Sequence, residues 1–354
     1  MFYTNIAEEY KNSQCPASFI IKISDTDRKN SETRICVDFG FYCEYLNEQT
    51  RIDLLNKSTE IGILLDYIIE NPQRKQPMDI DIKDKEFYLF QRLIYNESGI
   101  SLTSAKKELL KSRLMKRLRE RSLTSFKEYY QYVTEVDTTG EELISMLDCI
   151  STNLTEFFRE PAHFEFLSKK VLPVLLATKK GHHEKKIRVW CAGCSTGEEP
   201  YTISMILAEF MERIGEWDVK ILATDLSTRV LKKAVQGIYA KDRLRAIPIQ
   251  MQNSYFEKVI YNFKDYYQIK DFVRNMVVFR RLNLTDEAFP FKGQFDFIFC
   301  RNVMIYFNKQ TQSNLVSKFY KHLAPDGYLF IGHSESLTGT DSKFRYIQPT
   351  IYQK

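Results

Sequence analysis

The spacing of apolar positions first suggests a small mixed module at the start of the chain. Residues 17–24 and 34–45 alternate apolar and polar side chains, which is typical of strands, and residues 61–69 carry apolar side chains at helical spacing. Residues 71–77, NPQRKQP, contain two prolines and predict a linker. We therefore predict a small α+β module over residues 1–80, and nothing in its pattern indicates a function.

The apolar spacing is almost entirely helical from residue 84 to residue 177. The sequence Ser125-Phe-Lys-Glu128 is typical of a capping box at a helix start, and Pro161 opens another helical segment. We predict an all-helical domain over residues 81–180.

After Gly181, short apolar strands alternate with helical segments. The strands read IRVWC, VKILA, FDFIFC and YLFI, and such alternation predicts a parallel sheet that is covered on both faces. Alternating aromatic and polar residues at 254–279 interrupt the pattern and predict an antiparallel β insertion at about residues 250–280. The predicted fold class is α/β, with a Rossmann-like domain over residues 181–354.

Length and composition place few limits on function. The chain has 354 residues, 44% hydrophobic, with a net charge of +5 that neither requires nor excludes an acidic partner. No apolar run approaches the roughly 18 residues of a membrane helix, and the first ten residues do not resemble a signal peptide. Seven cysteines, an odd number without a disulfide pattern, indicate a reducing compartment. We expect a soluble, cytoplasmic protein without membrane insertion.

The most informative loop is VWCAGCSTGEEPY, at residues 189–201. Its glycines, Gly193 and Gly197, follow a buried strand and precede a helix, where open α/β sheets bind nucleotides. Asp225 ends the second strand and can accept hydrogen bonds from ribose hydroxyls. Because Glu198 and Glu199 would repel a pyrophosphate, an NAD-dependent oxidoreductase is the weakest interpretation. The cationic ligand S-adenosylmethionine fits the loop better.

Two further segments carry polar residues. STNLTEFFRE, at residues 151–160 where the helical region meets the α/β domain, is by itself more typical of a helix cap at Asn153 or Thr155 with two core phenylalanines than of a binding site. FCRNVMIYF places Arg301 and Asn302 after the strand that ends at Cys300. Buried Arg and Asn side chains need partners, so a binding site at that sheet edge is favoured over simple packing. The Cys191-x-x-Cys194 pair lacks further ligands, so we predict packing and no metal site.

A basic helix is the fourth feature with potential chemistry. Residues 106–121, KKELLKSRLMKRLRER, hold eight basic and two acidic side chains, with leucines at helical spacing. Such a helix favours an acidic partner, and RNA or an acidic protein helix would both qualify.

Taken together and in order, these motifs resemble the chemotaxis receptor methyltransferase family called CheR. The resemblance rests on SGISLTSAKKELLKSRLMKRLR, STNLTEFFRE, RVWCAGCSTGEEPYTISM, ILATDLSTRVLKKAVQGIY, FDFIFCRNVMIYF and DGYLFIGHSESL. It covers residues 84–340 and leaves residues 1–80 outside. It implies a class I S-adenosylmethionine methyltransferase domain and transfer of methyl groups to glutamates of chemoreceptor cytoplasmic domains, with S-adenosylhomocysteine as product.

The resemblance also implies the roles of individual residues. Arg159 and Tyr306 would orient the methyl donor and acceptor, and Arg113 would lie near the substrate. The residues implied in cofactor binding are Asn153, Thr155, Arg159, Glu199, Asp225, Asn283, Leu284, Arg301 and Asn302. A glutamate acceptor is already ionised near pH 7, so the chemistry needs no general base.

The implied partner is the cytoplasmic helical bundle of chemoreceptors. It would contact the basic helix 106–121, with the β insertion as a second candidate surface and no nucleic acid as partner. Two alternatives stay open: a methyltransferase that acts on RNA or another protein, and a non-catalytic signalling module that binds S-adenosylmethionine.

Overall fold

A computed structural model describes residues 16–70, 80–181, 183, 185–215, 217–261 and 264–354. The chain divides into two compact units, residues 1–79 and residues 80–354. None of the helices in the described residues combines the length and the apolar character needed to cross a membrane. The linker predicted at residues 71–77 lies outside the described residues.

The described part of the first unit is a pair of helices, α1 (Pro16–Tyr42) and α2 (Glu48–Glu70). The strands predicted at 17–24 and 34–45, and hence the α+β module, are therefore wrong. No Gly or Pro interrupts residues 17–39, so nothing stops one continuous helix. Asn30 and Ser58 hold the pair together: the Asn30 amide donates to the Ser58 carbonyl at 2.9 Å, and the Ser58 hydroxyl donates back to Asn30 Oδ1 at 2.9 Å.

The second unit begins with four helical segments around one core. They are α3 (Asp84–Ser98), α4 (Lys107–Glu120, after a 3₁₀ turn at Ser104–Lys106), α5 (Phe126–Gln131, continued as a π-helix at Tyr132–Val136) and α6 (Glu141–Ile150). Half of the predicted capping box is present, since the Glu128 amide donates to Ser125 Oγ at 3.2 Å, while the Glu128 carboxylate accepts from the Thr124 amide at 2.9 Å instead of the Ser125 amide. Phe87, Phe90 and Leu114 are among the side chains buried in this core.

One long helical stretch leads into the sheet. It consists of α7 (Pro161–Phe166), a π-helix (Leu167–Val171) and α8 (Leu172–Gly181). The main sheet then contains β1 (Lys186–Ala192), β2 (Asp218–Asp225), β6 (Val277–Arg281), β7 (Phe295–Cys300), β8 (Leu323–Ile331), β9 (Arg345–Gln348) and β10 (Ile351–Gln353).

The strand order of this sheet is β6-β2-β1-β7-β8-β10-β9. Neighbouring strands from β6 to β8 are parallel, while β10 is antiparallel to both β8 and β9. Along the chain, β2 and then β6 are added on one side of β1. The chain then crosses to the other side of β1 and adds β7, so the direction of strand addition reverses between β1 and β7. Ligands of open α/β sheets bind at that switch point, outside the carboxyl ends of the strands.

Alternate side chains of the central strands enter two different cores. Val189 and Phe299 belong to one, and Trp190 and Ile298 belong to the other. Both faces of the sheet are therefore buried, which explains why these strands read as continuous apolar runs. The helices of this domain are α9 (Glu198–Ile214), α10 (Thr228–Gln236), α11 (Ile249–Tyr255), α12 (Asp271–Arg274) and α13 (Lys309–His322), with 3₁₀ turns at Lys241–Leu244 and Met304–Tyr306.

The β insertion is a separate antiparallel sheet of β3 (Ile238–Ala240), β5 (Lys264–Ile269) and β4 (Phe256–Tyr261), in that order. The predicted antiparallel hairpin is present as β4 and β5. The prediction was wrong at its far end, because residues 277–281 form β6 and pair in parallel with β2. Alternation in one aromatic run does not reveal which partner strand its residues will meet.

Candidate functional site

A pocket opens at the carboxyl ends of the parallel strands and is closed on one side by the helical segments α3 to α6. All the side chains that the sequence assigned to the site line it: Arg113, Asn153, Thr155, Arg159, Glu199, Asp225, Asn283, Leu284, Arg301, Asn302 and Tyr306. The sequence missed others, including Lys106, Leu109, Leu154 and Ser195. The structure brings the predicted residues together, and their individual contacts with a cofactor stay a prediction.

The loop after β1 folds tightly against the end of β2. The Gly193 and Cys194 amides both donate to the Thr224 carbonyl, at 2.8 and 2.9 Å. Gly193 has a φ of +86°, and a Cβ atom there would lie 2.3 Å from Val303 Cγ2. Only glycine fits this position, so the pocket floor is bare backbone that a ligand can approach closely.

Asp225 is fixed by backbone donors on both sides of its carboxylate. One oxygen accepts from the Ser195 amide at 2.8 Å and the other from the Ser227 amide at 2.9 Å. Burial raises the pKa of Asp225, against these hydrogen bonds that lower it. Each oxygen retains a lone pair, so the carboxylate can still accept hydrogen bonds from a ligand such as a ribose.

The two acids that follow Gly197 have different environments. Glu198 is buried away from the pocket and pairs with Arg243, while Thr196 Oγ1 donates to it at 2.6 Å. Glu199 lines the pocket and accepts from Arg301 at 2.8 Å. Burial raises the pKa of Glu199, and Arg301 opposes the shift. Of the two acids that were expected to repel a pyrophosphate, only Glu199 therefore faces the pocket. Its negative charge is partly neutralised by the ion pair with Arg301.

The Arg301 side chain is 2% exposed and connects three parts of the site. Its guanidinium donates to Glu199, to the Arg159 carbonyl and to Glu160 Oε2, the last at 3.0 Å. It also lies over the Phe164 ring, 5.3 Å from the centroid. Its two terminal nitrogens thus bind protein acceptors, while its Nε is buried without a hydrogen-bond partner among the described residues. In this structure Arg301 positions Glu199 and the 153–160 loop.

Glu335 holds the turn that carries Asn302 and Tyr306, a role that the sequence analysis missed. Its carboxylate is buried and accepts from the amides of Asn302, Val303, Ile305 and Gly332 at 2.6 to 3.3 Å. The signal that could have found it is an acid three residues after Gly332, the glycine that directly follows the buried strand β8. Asn302 has a φ of +59°, a conformation that this carboxylate stabilises.

Hydrogen bonds to its backbone carbonyls hold the 153–160 loop in place. Arg159 donates to the Leu154 carbonyl at 2.9 Å, and the Asn153 carbonyl accepts from Ser195 Oγ at 2.9 Å. The Thr155 carbonyl accepts from Arg243. These contacts leave the Asn153 and Thr155 side chains at the pocket wall, together with Leu154, which is 75% exposed at the mouth.

Asn283 and Leu284 enter the pocket from the segment after β6. The Asn283 amide donates to the Glu97 carbonyl at 2.8 Å, and its Oδ1 accepts from the Thr285 amide and hydroxyl. The Asn283 side chain therefore ties the helical segments to the sheet domain as well as lining the pocket.

Tyr306 lies opposite the basic helix. Its ring packs on the helical core, and Lys106 Nζ lies 5.8 Å from the ring centroid. Lys106 also lines the pocket, and no carboxylate of the described residues lies within ion-pair distance of it.

The basic helix is less free than its sequence suggests. Lys107 pairs with Asp84 at 2.7 Å, Lys111 with Asp81 at 3.1 Å, and Arg121 with Glu142 at 2.6 Å. Arg113 donates to the Ile150 carbonyl and, at 2.9 Å, to Thr152 Oγ1. Most of the helix charge is therefore compensated within the domain, and Arg113 supports the turn before Asn153.

The cysteine pair of the loop belongs to the hydrophobic core. Cys191 and Cys194 are buried at 0% and 1% exposure, and burial raises the pKa of both thiols well above the usual range. Buried neutral thiols pack as apolar side chains. This agrees with the structural interpretation of the pair.

The fold and site together define a class of protein. A β6-β2-β1-β7-β8 parallel sheet with a glycine turn after β1 and an acid ending β2 is a nucleotide-binding arrangement, and the carboxylate of Glu199 at the start of the next helix favours the cationic S-adenosylmethionine over a pyrophosphate. The molecule is a Rossmann-like class I methyltransferase.

Comparison with known families gives the same class. "CheR methyltransferase, SAM binding domain" matches residues 153–353, and "CheR methyltransferase, all-alpha domain" matches residues 85–151. The chain belongs to the CheR methyltransferase family.

Curated relatives cover most of the chain. The chemotaxis protein methyltransferase of Borreliella burgdorferi is 44% identical over 284 residues, which are 80% of this chain and 98% of that protein. The chemotaxis protein methyltransferase of Escherichia coli is 37% identical over 272 residues, 77% of this chain and 91% of that protein. Chemotaxis protein methyltransferase 2 of Vibrio cholerae is 35% identical and covers 78% of this chain and 95% of its own. The chain is thus an S-adenosylmethionine-dependent methyltransferase of chemotaxis.

Proposed function

We propose that this enzyme methylates glutamate side chains in the cytoplasmic helical bundle of chemoreceptors and forms glutamyl methyl esters. The observation that carries the proposal is the division of charge in the pocket. The carboxylates of Glu199 and Asp225 lie along the sheet edge, where Arg301 pairs with Glu199. The basic side chains of Lys106, Arg113 and Arg159 line the pocket from the basic helix and the 153–160 loop, which also carries Glu156. Such a pocket suits a cationic methyl donor next to an anionic acceptor.

The residues present fit S-adenosylmethionine. Gly193 allows close approach of the ligand, Asp225 can accept from ribose hydroxyls, and the Glu199 oxygen that Arg301 does not use can face the ammonium group. Bound S-adenosylmethionine supplies an electrophilic methyl group on a positively charged sulfur. The Tyr306 ring can stabilise that charge by a cation-π contact.

The acceptor chemistry explains why an acid-base pair is unnecessary. A glutamate with a pKa of about 4.3 is ionised near pH 7, so its oxygen attacks the methyl carbon without losing a proton. The new O–C bond forms as the C–S bond breaks, and the bonding electrons remain on sulfur in neutral S-adenosylhomocysteine. The protein contributes alignment and exclusion of water. Among the described residues, no histidine lines the pocket.

Two surfaces are proposed to contact the receptor. Around the pocket mouth, Lys106 and Arg159 can bind the acceptor carboxylate, and Leu109 and Leu154, 45% and 75% exposed, can pack on apolar side chains of a receptor helix. On the β insertion, β4 is an edge strand with Ile260 80% exposed. An extended segment of the receptor could add to this edge as a further strand.

The test is transfer of labelled methyl from S-adenosylmethionine to a chemoreceptor cytoplasmic fragment, followed by alkaline release of methanol. We expect alkali-labile label that falls at least 100-fold in Arg159→Ala, because one positioning contact in the transition state accounts for several kcal/mol. Arg245→Ala, an exposed arginine outside the pocket, is the matched control and keeps full activity.

Other results would support the alternatives. Label that survives alkali, or label on RNA, contradicts glutamate methylation. Cofactor binding by calorimetry without transfer to any receptor fragment indicates a non-catalytic module.

A further inference from the structure

Three side chains outside the methyl-transfer pocket meet on the far side of Arg301. Glu160 precedes α7, His163 lies in the first turn of that helix, and His333 follows β8. Their ligand atoms lie within 4.8 Å of one another. His163 is 1% exposed, whereas the His333 side chain is 58% exposed, so the cluster reaches from the core to solvent.

The Nε2 side of the His163 ring lies against Thr350. Thr350 Oγ1 is 2.6 Å from the Pro349 carbonyl oxygen and 2.6 Å from His163 Nε2. With the Thr350 hydroxyl donating to that carbonyl, Nε2–H donates to Oγ1, and the other ring nitrogen, Nδ1, carries a free lone pair.

That lone pair faces another acceptor. His163 Nδ1 is 3.5 Å from Glu160 Oε2 and finds no hydrogen-bond partner among the described residues. In that tautomer two electron-pair donors face each other inside the protein, an arrangement that a cation would satisfy.

We propose that Glu160 Oε2, His163 Nδ1 and His333 Nε2 form a binding site for a divalent transition-metal ion, with Zn²⁺ as the best fit. Zinc bonds of about 2.1 Å place neighbouring ligand atoms roughly 3.4 Å apart in a tetrahedron. The Glu160–His163 and Glu160–His333 pairs are at 3.5 and 3.9 Å, and the third pair lies within 4.8 Å. We expect the exposed His333 ring to turn toward His163 when the ion binds.

Two neighbours define the character of this site. The His163 Nε2–H bond to Thr350 is the outer contact that orients a metal-binding imidazole. Arg301 donates to the same Glu160 oxygen at 3.0 Å, so the ion competes with a buried cation and binds more weakly than in a closed structural zinc site. The three protein ligands fill three of the four tetrahedral positions of the ion. Because His333 is exposed, water can reach the fourth position.

The test is calorimetric titration of Zn²⁺, with Co²⁺ absorption to report coordination. Because cysteines bind zinc, the reference protein carries Cys15→Ser, Cys36→Ser and Cys43→Ser. We expect one ion per chain, a visible Co²⁺ spectrum typical of four-coordination, and at least tenfold weaker binding in His333→Gln. His183→Gln, at an exposed histidine outside the cluster, is the matched control and leaves binding unchanged.

Because the His333 side chain is exposed, we expect His333→Gln to keep the native fold. Circular dichroism of the variant checks this. Histidine ¹⁵N spectra give a readout independent of activity: Zn²⁺ should shift Nδ1 of His163 in the reference protein and not in His333→Gln. Equal Zn²⁺ affinity in His333→Gln, or bound Zn²⁺ without a shift at His163 Nδ1, overturns the proposal.

Discussion

Replacing Glu335 with glutamine tests whether a buried carboxylate organises one wall of the pocket. Oε2 of Glu335 accepts from the amides of Asn302 and Gly332 at 3.0 and 2.6 Å. Oε1 accepts from the amides of Val303 and Ile305 at 2.9 and 3.3 Å. Glu335→Gln preserves the size of the side chain but converts one oxygen into an NH₂ group, which cannot accept.

The expected cost follows from this geometry. Whichever oxygen is replaced, two buried backbone N–H groups then face another donor. A hydrogen bond to a charged acceptor contributes roughly 1.5–3 kcal/mol, so losing two destabilises the folded state by about 3 kcal/mol. The turn that positions Asn302 and Tyr306 loses its anchor, and we expect at least tenfold weaker binding of S-adenosylhomocysteine, equivalent to about 1.4 kcal/mol.

Urea unfolding measures the first quantity and titration calorimetry the second. Glu287→Gln, an exposed acid without a described hydrogen bond, is the control and should behave as the unmodified protein. If Glu335→Gln unfolds within about 0.5 kcal/mol of Glu287→Gln, the range of ordinary surface substitutions, the assignment of Glu335 as the anchor is refuted. Loss of stability with unchanged ligand affinity would refute only the link to the pocket.

Three further predictions concern single residues. Asp225→Asn replaces an oxygen of a pocket-lining carboxylate that we propose binds the cofactor, and it should raise the calorimetric dissociation constant of S-adenosylmethionine by roughly 10–100-fold; unchanged affinity would contradict this role. Gly193→Ala places a methyl group 2.3 Å from Val303 at a φ of +86°; we expect weaker cofactor binding and a loss of about 2 kcal/mol in urea unfolding. Glu142→Gln leaves two arginines without their buried partner and should cost about 3 kcal/mol at pH 7. Burial would raise the pKa of Glu142, but hydrogen bonds from its partners lower it below 4.5 overall, so its contribution is present above pH 4.5 and disappears as the pH falls below that value. Unfolding at pH 7 and pH 3.5 should show a difference from the unmodified protein that shrinks in acid.

The amino-acid sequence by itself determined much of the methyltransferase domain. Fully apolar strands such as FDFIFC indicated a sheet buried on both faces, and β7 spans those same residues, Phe295–Cys300. The turn around Gly193 and the acid at Asp225 indicated a nucleotide site, because backbone conformation and charge at a strand end are local properties. The order of several motifs identified the family, and every residue assigned to the site lines one pocket.

The first unit shows where local pattern failed. Alternation over residues 34–45 predicted a strand, yet residues 34–42 continue α1, in which Val37 is buried and Phe39 is 67% exposed, and residues 43–45 form a turn. Short alternating runs fit either element, and the paired helix α2 decides between them. The same ambiguity placed residues 277–281 in the β insertion, whereas pairing with β2 puts them in the main sheet.

Only the tertiary structure decided how charged groups are paired. The terminal nitrogens of Arg301 donate to Glu199, Glu160 and a carbonyl, and four of the eight basic side chains of residues 106–121 pair with acids from other segments. Glu335 acts on a turn about 30 residues earlier in the chain. The sequence shows which side chains carry charge. The electrostatic energy of each charge depends on its burial and on the partner about 3 Å away in the folded protein, and these effects outweigh the influence of neighbours along the chain.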